Sequence, residues 1–302
     1  MSESSIIKLI KSKFFNEWET IYGNDSAFLS ENDIVITKDV LVEGTHFESY
    51  YPIDSIAYKS LAVNISDILS DGGEPAYFLL GIGYPKNYEE KIISLFENYY
   101  HICNKYNLKI IGGDLVYSPV FFISVTCIGY TKSPWLRKNA GDKDILYLTG
   151  SIGGSYKGFK EIKNNYLDLN NRYVISHLYP PIRIKEVEFI KDKYTVSAGI
   201  DISDGLIKDL VKLALESKKA VFIEYDLIPF FDGLSDEEKF SSLFWGEDYE
   251  ICFSSNQIIK EDFIKQIGYI EDGKPGLYLK KDQEIIIYSN IEEIEKKEFS
   301  HW

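Results

Sequence analysis

The chain of 302 residues is 45% hydrophobic and 26% charged, with 9 prolines, a composition typical of globular proteins that excludes a disordered chain. Its length suggests about two domains. A net charge of -14 and a pI near 4.9 repel polyanions, so we expect neither a nucleic-acid partner nor binding to an anionic membrane.

The first half of the chain predicts alternating strands and helices. The β-branched stretch IVIT at residues 34–37 predicts a strand, and KDVLVEGTHF after it predicts a loop. A helix is predicted over residues 56–71, because its apolar side chains follow the 3.6-residue period. Further strands are predicted at FLLGIGY, LKIIGGDLV and VFFISVTCIGY, with a helix over about residues 88–106 between the first two. These elements indicate an α/β half.

A linker is predicted in TKSPWLRKNAGDKD, which combines proline, glycine and charge. We therefore place a domain boundary near residue 133, which gives domains at 1–133 and 134–302. The second half predicts strands at ILYLTG, TVSAGIDI and AVFIEYDLI, with a helix over roughly residues 205–217 between the last two. The remaining tail is charged and mixed in character.

The three cysteines are far apart, odd in number and without C-x-x-C spacing; they are Cys103, Cys127 and Cys252. We interpret them as buried apolar side chains rather than as disulfide partners or thiolate zinc ligands. The first residues show no long apolar run before a small-residue cleavage site, and the longest apolar stretches are too short to cross a bilayer. We expect a cytoplasmic protein without a membrane partner.

Aspartates are concentrated in short stretches at strand ends and turns. SAGIDISDGL places Asp201 and Asp204 between an apolar strand and a helix, where Ser203 or Asp204 also serves as an ordinary helix cap. Four more stand at a strand end, a glycine turn or the polar face of a helix: Asp25, Asp39, Asp67 and Asp114. Each alone is equally explained as a solvated acid, but convergence of all six requires cations to offset their repulsion.

Oxygen ligands without nearby histidine or cysteine favour magnesium over zinc. Magnesium keeps positions open for phosphate oxygens, which suits phosphoryl transfer. The stretches GGD and TGSIGGS offer backbone amides for phosphates or are plain glycine turns, and no Walker A sequence is present. His46 follows VEGT close to this cluster and is either structural or part of the site. No G-x-S-x-G sequence or Cys–His pairing is found, so no covalent nucleophile is expected.

In their order, these motifs resemble the thiamine-monophosphate kinase family of the larger aminoimidazole-ribonucleotide-synthetase-like group. The matching stretches run from residue 23 to about residue 273, and they are GNDSA, VITKDVLVEGTHF, YKSLAVNISDILSDGGEP, IIGGD with ISVTCIGY, LYLTGSIGGSYKG, SHLYPPIR, GIDISDGL, GEDYEICF and IGYIEDG. The resemblance implies a two-domain α/β (α+β) subunit with an N-terminal mixed sheet, dimerising through its N-terminal domain. It also implies direct transfer of the γ-phosphate of ATP to thiamine phosphate, with several Mg²⁺ ions.

The resemblance also implies roles for individual residues. The metal ligands it implies are Asp25, Thr37, Asp39, Asp67, Asp114, Asp201 and Asp204. The ATP contacts it implies are Gly113, Asp114, Arg137 and Ser203. The thiamine phosphate contacts it implies are His46, Glu247 and the terminal Trp302.

Three positions depart from the family pattern. Asn24 stands where a second aspartate is usual, and Lys38 stands where a small hydroxyl residue is usual. Lys38 either replaces a cation, reaches a phosphate or points to solvent. Asp71 occupies a position that is often apolar. These changes affect the expected number of metals and the turnover more than the fold.

Several rival functions share this fold. Selenophosphate synthetase requires a reactive cysteine near the N-terminus, and the hydrogenase-maturation relatives require a C-terminal one, whereas the cysteines here lie between Cys103 and Cys252. Aminoimidazole ribonucleotide synthetase fits VEGTHF and GEDYE less well. A catalytically weak nucleotide-binding or regulatory homologue stays open because of Asn24 and Lys38.

Overall fold

The computed structural model describes residues 24–164 and 167–295. Its first half contains β1 Ala27–Leu29, β2 Ile34–Val42, α1 Ile53–Ser70, β3 Glu74–Tyr84, α2 Glu89–Tyr106, β4 Lys109–Tyr117 and β5 Phe122–Tyr130. Its second half contains β6 Ile145–Thr149, α3 Gly154–Lys163, α4 Arg172–Leu178, α5 Ile184–Lys193, β7 Ala198–Asp201, α6 Leu206–Ser217, β8 Ala220–Glu224, α7 Asp236–Ser242, β9 Ile251–Ser255, β10 Ile264–Glu271, β11 Gly276–Lys281, β12 Glu284–Tyr288 and α8 Ile291–Glu295.

The N-terminal sheet has the strand order β1-β2-β5-β3-β4. Its pairs are antiparallel except β3 with β4, which are parallel and joined by the crossover helix α2. Side chains alternate across the sheet, so Val35, Leu41 and Val125 are buried on the face that α1 covers. The opposite face is exposed and carries Lys38 and Val40.

The C-terminal sheet has the order β12-β11-β8-β10-β6-β9-β7. Helix α6 packs on one of its faces through Ile207, Leu210 and Val211, which share a core with Leu148 of β6. The other face carries a separate core in which aromatic side chains such as Phe253 join α1 and the N-terminal sheet. Helix α1 therefore packs against both halves of the molecule, which allows it to bring side chains from the two halves together.

The predicted α/β fold class is confirmed, but strand β2 is longer than the sequence predicted. The expected loop after residue 37 is wrong for residues 38–42, because all nine residues of β2 pair with β5. The alternation of Thr37, Asp39 and Leu41 inward with Lys38 and Val40 outward is a strand pattern that the mixed charges conceal.

The charged tail, left without assigned elements, forms β10, β11, β12 and α8. The sheets change over between Tyr130 and Ile145, an interval that contains the boundary near residue 133, although the division into domains stays a prediction. All three cysteines are free and buried, as expected. Among the described helices, none combines the length and the apolar character needed to cross a lipid bilayer.

Candidate active site

Helix α1 supplies a row of polar side chains near its C-terminal end. Ser66 donates to Asp201 Oδ2 at 2.7 Å, and Ser70 donates to Asp25 Oδ2 at 2.9 Å. Asp67 accepts a hydrogen bond from the hydroxyl of Thr37 on β2. The helix therefore joins β2, the segment before β1 and the end of β7 at a single point.

Three carboxylates meet at this point. Oxygen atoms of Asp25, Asp67 and Asp201 all lie within 4.8 Å of one another. Burial, followed by repulsion from Asp39, Asp201 and Asp25, raises the pKa of Asp67 well above its usual value. Burial and the proximity of Asp25 raise the pKa of Asp201 in the same way. Three carboxylates this close together form a group that could hold a metal ion.

Asp39 and Asp204 extend the cluster at its edge. Burial, with repulsion from Asp25 and then Asp204, raises the pKa of Asp39 to about 6. The half-exposed Asp204 has the opposite environment, since Lys212 contacts its carboxylate and holds its pKa below the usual range. The backbone N–H of Asp204 donates to the buried Asp209 at 3.0 Å, and Lys212 also contacts Asp209 at 2.8 Å.

The two turns of GIDISDGL and GEDYEICF pack directly against each other. The N–H of Glu247 donates to Ser203 O at 2.9 Å, and the N–H of Tyr249 donates to Ile202 O at 2.9 Å. A Cβ atom on Gly246 would lie 1.8 Å from Ser203 O, so only glycine allows this approach. Glu247 and Tyr249 have positive φ values of 65° and 50°, an uncommon conformation for residues with side chains.

Arg137 is buried beside the cluster and forms an ion pair with Asp25. Its backbone N–H donates to Asn24 Oδ1 at 3.0 Å. Asn24 thus serves as a hydrogen-bond acceptor that orients Arg137, a task that does not need a second carboxylate. A guanidinium next to a cation site is suited to hold a phosphate oxygen.

Comparison with known proteins agrees with this geometry. Residues 23–131 match the family model of the AIR synthase related protein, N-terminal domain. The chain is 35% identical to the thiamine-monophosphate kinase of Buchnera aphidicola subsp. Schizaphis graminum, over 93% of this chain and 91% of that protein. It is 31% identical to the thiamine-monophosphate kinase of Escherichia coli strain K12, over 82% of this chain and 80% of that protein.

The chain belongs to the thiamine-monophosphate kinase family.

Solved structures of this family match the whole fold. The structure of AaThiL complexed with AMPPCP and TMP superposes with a TM-score of 0.82 at 28% identity, covering 93% of this chain and 95% of that one. The thiamine monophosphate kinase of Aquifex aeolicus superposes with a TM-score of 0.84 at 26% identity, covering 94% and 97%.

The structure brings together eight of the residues that the kinase family pattern named. They are Asp25, Thr37, Asp39, Asp67, Arg137, Asp201, Ser203 and Asp204. Ser203 donates to Asp201 Oδ1 at 2.9 Å, so its contact with the cluster is direct. Their roles toward metal and nucleotide stay predictions.

Within one chain, Asp114 and Gly113 do not lie at the carboxylate cluster. Asp114 pairs with Gly81 and shares a row with Ser124 and Val40, so it lies on the opposite face of the sheet from Asp39. Its carboxylate accepts from the N–H of Leu115 at 3.0 Å. Gly113 has a structural reason to be glycine, because a Cβ there would lie 1.9 Å from the carbonyl oxygen of Leu80.

The predicted substrate residues fall in different places. His46 Nδ1 accepts from the N–H of Val42 at 3.1 Å, which leaves the ring proton on Nε2. Glu247 lies on the strained turn beside Ser203. Trp302 lies outside the described residues.

Two of the departures from the kinase pattern now have a location. Lys38 lies on the outer face of the sheet, where it donates to Ser124 Oγ at 2.7 Å and to Thr126 Oγ1 at 3.4 Å. Asp71 is buried and accepts from the N–H of Ser26 at 3.1 Å. Burial and then repulsion from Asp25 raise the pKa of Asp71 to about 8.

Several residues of the site were missed by the sequence analysis. They are Lys59, Ser66, Ser70, His177, Arg183, Asp209 and Lys212. Ser66 and Ser70 stand four residues apart, a helical spacing that was available as a signal. The others depend on contacts between distant parts of the chain, for which the local sequence carries no signal.

Proposed function

We propose that this chain is an ATP-dependent thiamine-phosphate kinase that forms thiamine diphosphate and ADP. The observation that carries the proposal is the cluster of Asp25, Asp67 and Asp201, of which Asp201 is buried and the other two are partly buried, in a chain of this family. The relative AaThiL was solved complexed with AMPPCP and TMP, an ATP analogue and the proposed acceptor.

The donor set of the cluster fits Mg²⁺, since it consists of three carboxylates whose oxygen atoms lie within 4.8 Å of one another. The residues that would hold the ions are Asp25, Thr37, Asp39, Asp67, Asp201 and Asp204. When bound, Mg²⁺ neutralises the polyphosphate charge and orients the phosphates for in-line displacement.

The protein's own contribution is to orient these groups. Ser66 and Ser203 each hold one oxygen of Asp201, which fixes the plane of that carboxylate. Arg137 provides a buried positive charge for a phosphate oxygen. The acceptor oxygen belongs to a phosphate that is largely ionised near pH 7. It attacks the γ-phosphorus while the bond to the β-phosphate oxygen breaks, so no general base or covalent nucleophile is needed.

The test of the proposed function is ADP release with MgATP, measured with and without thiamine phosphate, followed by mass detection of thiamine diphosphate. Product is expected only when both substrates and Mg²⁺ are present. ATP binding without thiamine diphosphate formation would instead support the nucleotide-binding homologue.

The metal-free protein is expected to lose stability as the pH rises from about 6 to 8, because the folded state then gives up protons that the unfolded chain has already released. Mg²⁺ binds ionised carboxylates, so stabilisation by Mg²⁺ should increase as the pH rises. We expect Mg²⁺ to raise Tm by about 5 °C more at pH 8 than at pH 6. Thermal scans with Mg²⁺ or EDTA measure both. An equal Mg²⁺ effect at the two pH values contradicts the assignment.

The chain is also proposed to form a homodimer through the exposed face of its N-terminal sheet. Val40 is 45% exposed there and Leu79 is 39% exposed, while Asp114 shares this face. The strand β4 at the sheet edge is exposed along most of its length, which is unusual for an unprotected edge. Association would cover this face and give Gly113 and Asp114 a neighbouring subunit.

Val40→Glu is expected to convert the dimer to a monomer, because a charge in an apolar interface is unfavourable. Sedimentation velocity measures the change. Ile258→Glu serves as the control, since Ile258 is more exposed at 72% and lies in the C-terminal half. A wild-type chain that sediments as a monomer, or a Val40→Glu dimer, refutes this interface.

A further inference from the structure

We propose that Lys212 is a positioning residue that serves as a built-in counter-ion of Asp204 and competes with a divalent cation for that carboxylate. This inference rests on the proposed function in one respect, because it takes Asp204 as a ligand of the Mg²⁺ that the reaction uses. It concerns a lysine of helix α6 that the sequence analysis missed.

The ammonium group of Lys212 reaches two carboxylates. It contacts Asp204 and lies 2.8 Å from Asp209 Oδ1. Asp209 stands three residues before Lys212 on α6, and Asp204 precedes the first residue of the helix, Leu206. Because helical side chains lean toward the N-terminal end of their helix, the side chain of Lys212 extends back toward both carboxylates.

The two carboxylates differ in their exposure to solvent. The side chain of Asp209 is 1% exposed, whereas that of Asp204 is 47% exposed. A lysine that served the fold alone would need only the buried Asp209, whose charge requires a partner. The second contact places a positive charge on a carboxylate that a metal ion can reach from solvent.

Asp209 keeps the ammonium group in place. Its Oδ2 accepts the backbone N–H of Asp204 at 3.0 Å, so this one carboxylate ties the turn before α6 to the helix itself. The next two residues, Leu210 and Val211, are fully buried in the core and fix the helix against the sheet. Lys212 cannot move away without leaving Asp209 as a buried, unpaired charge. A cation that approaches Asp204 therefore meets an ammonium group that stays close by.

The partners of Asp201 are of a different kind. Its two oxygens accept from the hydroxyls of Ser66 and Ser203. Hydroxyl donors orient a carboxylate but carry no net charge, whereas the ammonium group of Lys212 offsets the charge of Asp204. Lys212 is also the largest influence that holds the pKa of Asp204 below its usual range. The Asp201 end of the site should therefore bind a divalent cation more tightly than the Asp204 end.

The test is Mn²⁺ binding to the full-length protein without nucleotide, with the free ion measured by electron paramagnetic resonance. Mn²⁺ takes the same oxygen ligands as Mg²⁺. Lys212→Gln removes the positive charge and keeps an N–H donor for Asp209. The weakest-bound Mn²⁺ is expected to bind about tenfold more tightly in this variant, because one nearby positive charge is lost at a partly exposed site. Adding Asp204→Asn should cancel the gain.

Two further variants separate this competition from folding and from net charge. Lys212→Met combined with Asp209→Asn removes one positive and one negative charge, so the net charge is unchanged and no carboxylate of Asp209 is left unpaired. This pair should bind Mn²⁺ as tightly as Lys212→Gln, and it replaces that variant if Lys212→Gln folds poorly. Lys219→Met removes an ion pair with the exposed Asp272 and should leave Mn²⁺ binding unchanged.

The outcomes discriminate between the two proposals, because Mn²⁺ binding is measured without thiamine phosphate. A wild type that forms no thiamine diphosphate defeats the proposed function, and the Mn²⁺ measurement still decides whether Lys212 competes for Asp204. If Mn²⁺ binds no more tightly to the charge-neutral pair than to the wild type, or if the gain persists when Asp204→Asn is added, the inference about Lys212 is overturned.

Discussion

Asp67→Asn is expected to lower kcat for thiamine diphosphate formation by about a thousandfold, the size of effect found when one preorganised electrostatic group is removed. Oxygen atoms of Asp67, Asp25 and Asp201 lie within 4.8 Å of one another, so the substitution removes one of the three carboxylates that are proposed to hold a cation. The metal-free variant should be at least as stable as the wild type at neutral pH, because a neutral amide replaces a carboxylate whose pKa is raised by burial and by repulsion from Asp39, Asp201 and Asp25.

Steady-state kinetics and thermal scans with and without Mg²⁺ measure the two effects together. A lower Tm in the absence of metal would show that Asp67 is structural, and near-normal turnover with full Mg²⁺ dependence would refute its role at the site. Asp262→Asn changes an exposed aspartate in the same way and should alter neither quantity.

Arg183→Met is expected to destabilise the fold by about 3 kcal/mol, because it leaves the carboxylate of Glu250 buried without its cation. The side chain of Glu250 is only 4% exposed, and the hydroxyl of Thr149 also donates to it at 2.8 Å. Urea denaturation followed by circular dichroism measures the loss.

Two further variants serve as comparisons for the stability loss of Arg183→Met. Glu250→Gln should cost less, since Arg183 is partly exposed and regains water when its partner is neutral. Lys191→Met breaks a surface pair and should cost below about 1 kcal/mol. If Arg183→Met costs no more than Lys191→Met, the ion pair does not hold the turn that presents Glu247.

The convergence of Asp25, Asp67 and Asp201 was predictable from sequence because each stands next to a strand end or near a helix end, and such ends meet at one edge of a sheet. Asp39 lies inside β2 instead and reaches the cluster from the buried face of the sheet. The face of the sheet on which Asp114 lies could not be predicted from the sequence. The face on which a strand residue lies depends on its register, which shifts between Phe78 and Leu79, and a shift of one residue moves a side chain to the other face.

The burial of cationic side chains could not be predicted from the sequence, for a different reason. A lysine within a helix usually lies at the surface, and the burial of Lys59 depends on Glu247, far away in the chain. Likewise, the sequence predicted a loop at Lys38, because its charge beside Asp39 suggested one. The structure shows that Lys38 lies in a strand, since it pairs with β5. Sequence patterns report the local period, whereas these positions were set by tertiary partners.

Helix α1 fixes the distance between two parts of the site. It carries Lys59, which pairs with Glu247, and Asp67, which is one of the three clustered carboxylates. Eight residues of a rigid helix separate the two, a rise of about 12 Å. Because the helix is rigid, the ion pair at Glu247 and the carboxylate cluster stay at a fixed distance, so a substitution that displaces α1 is expected to move both groups together.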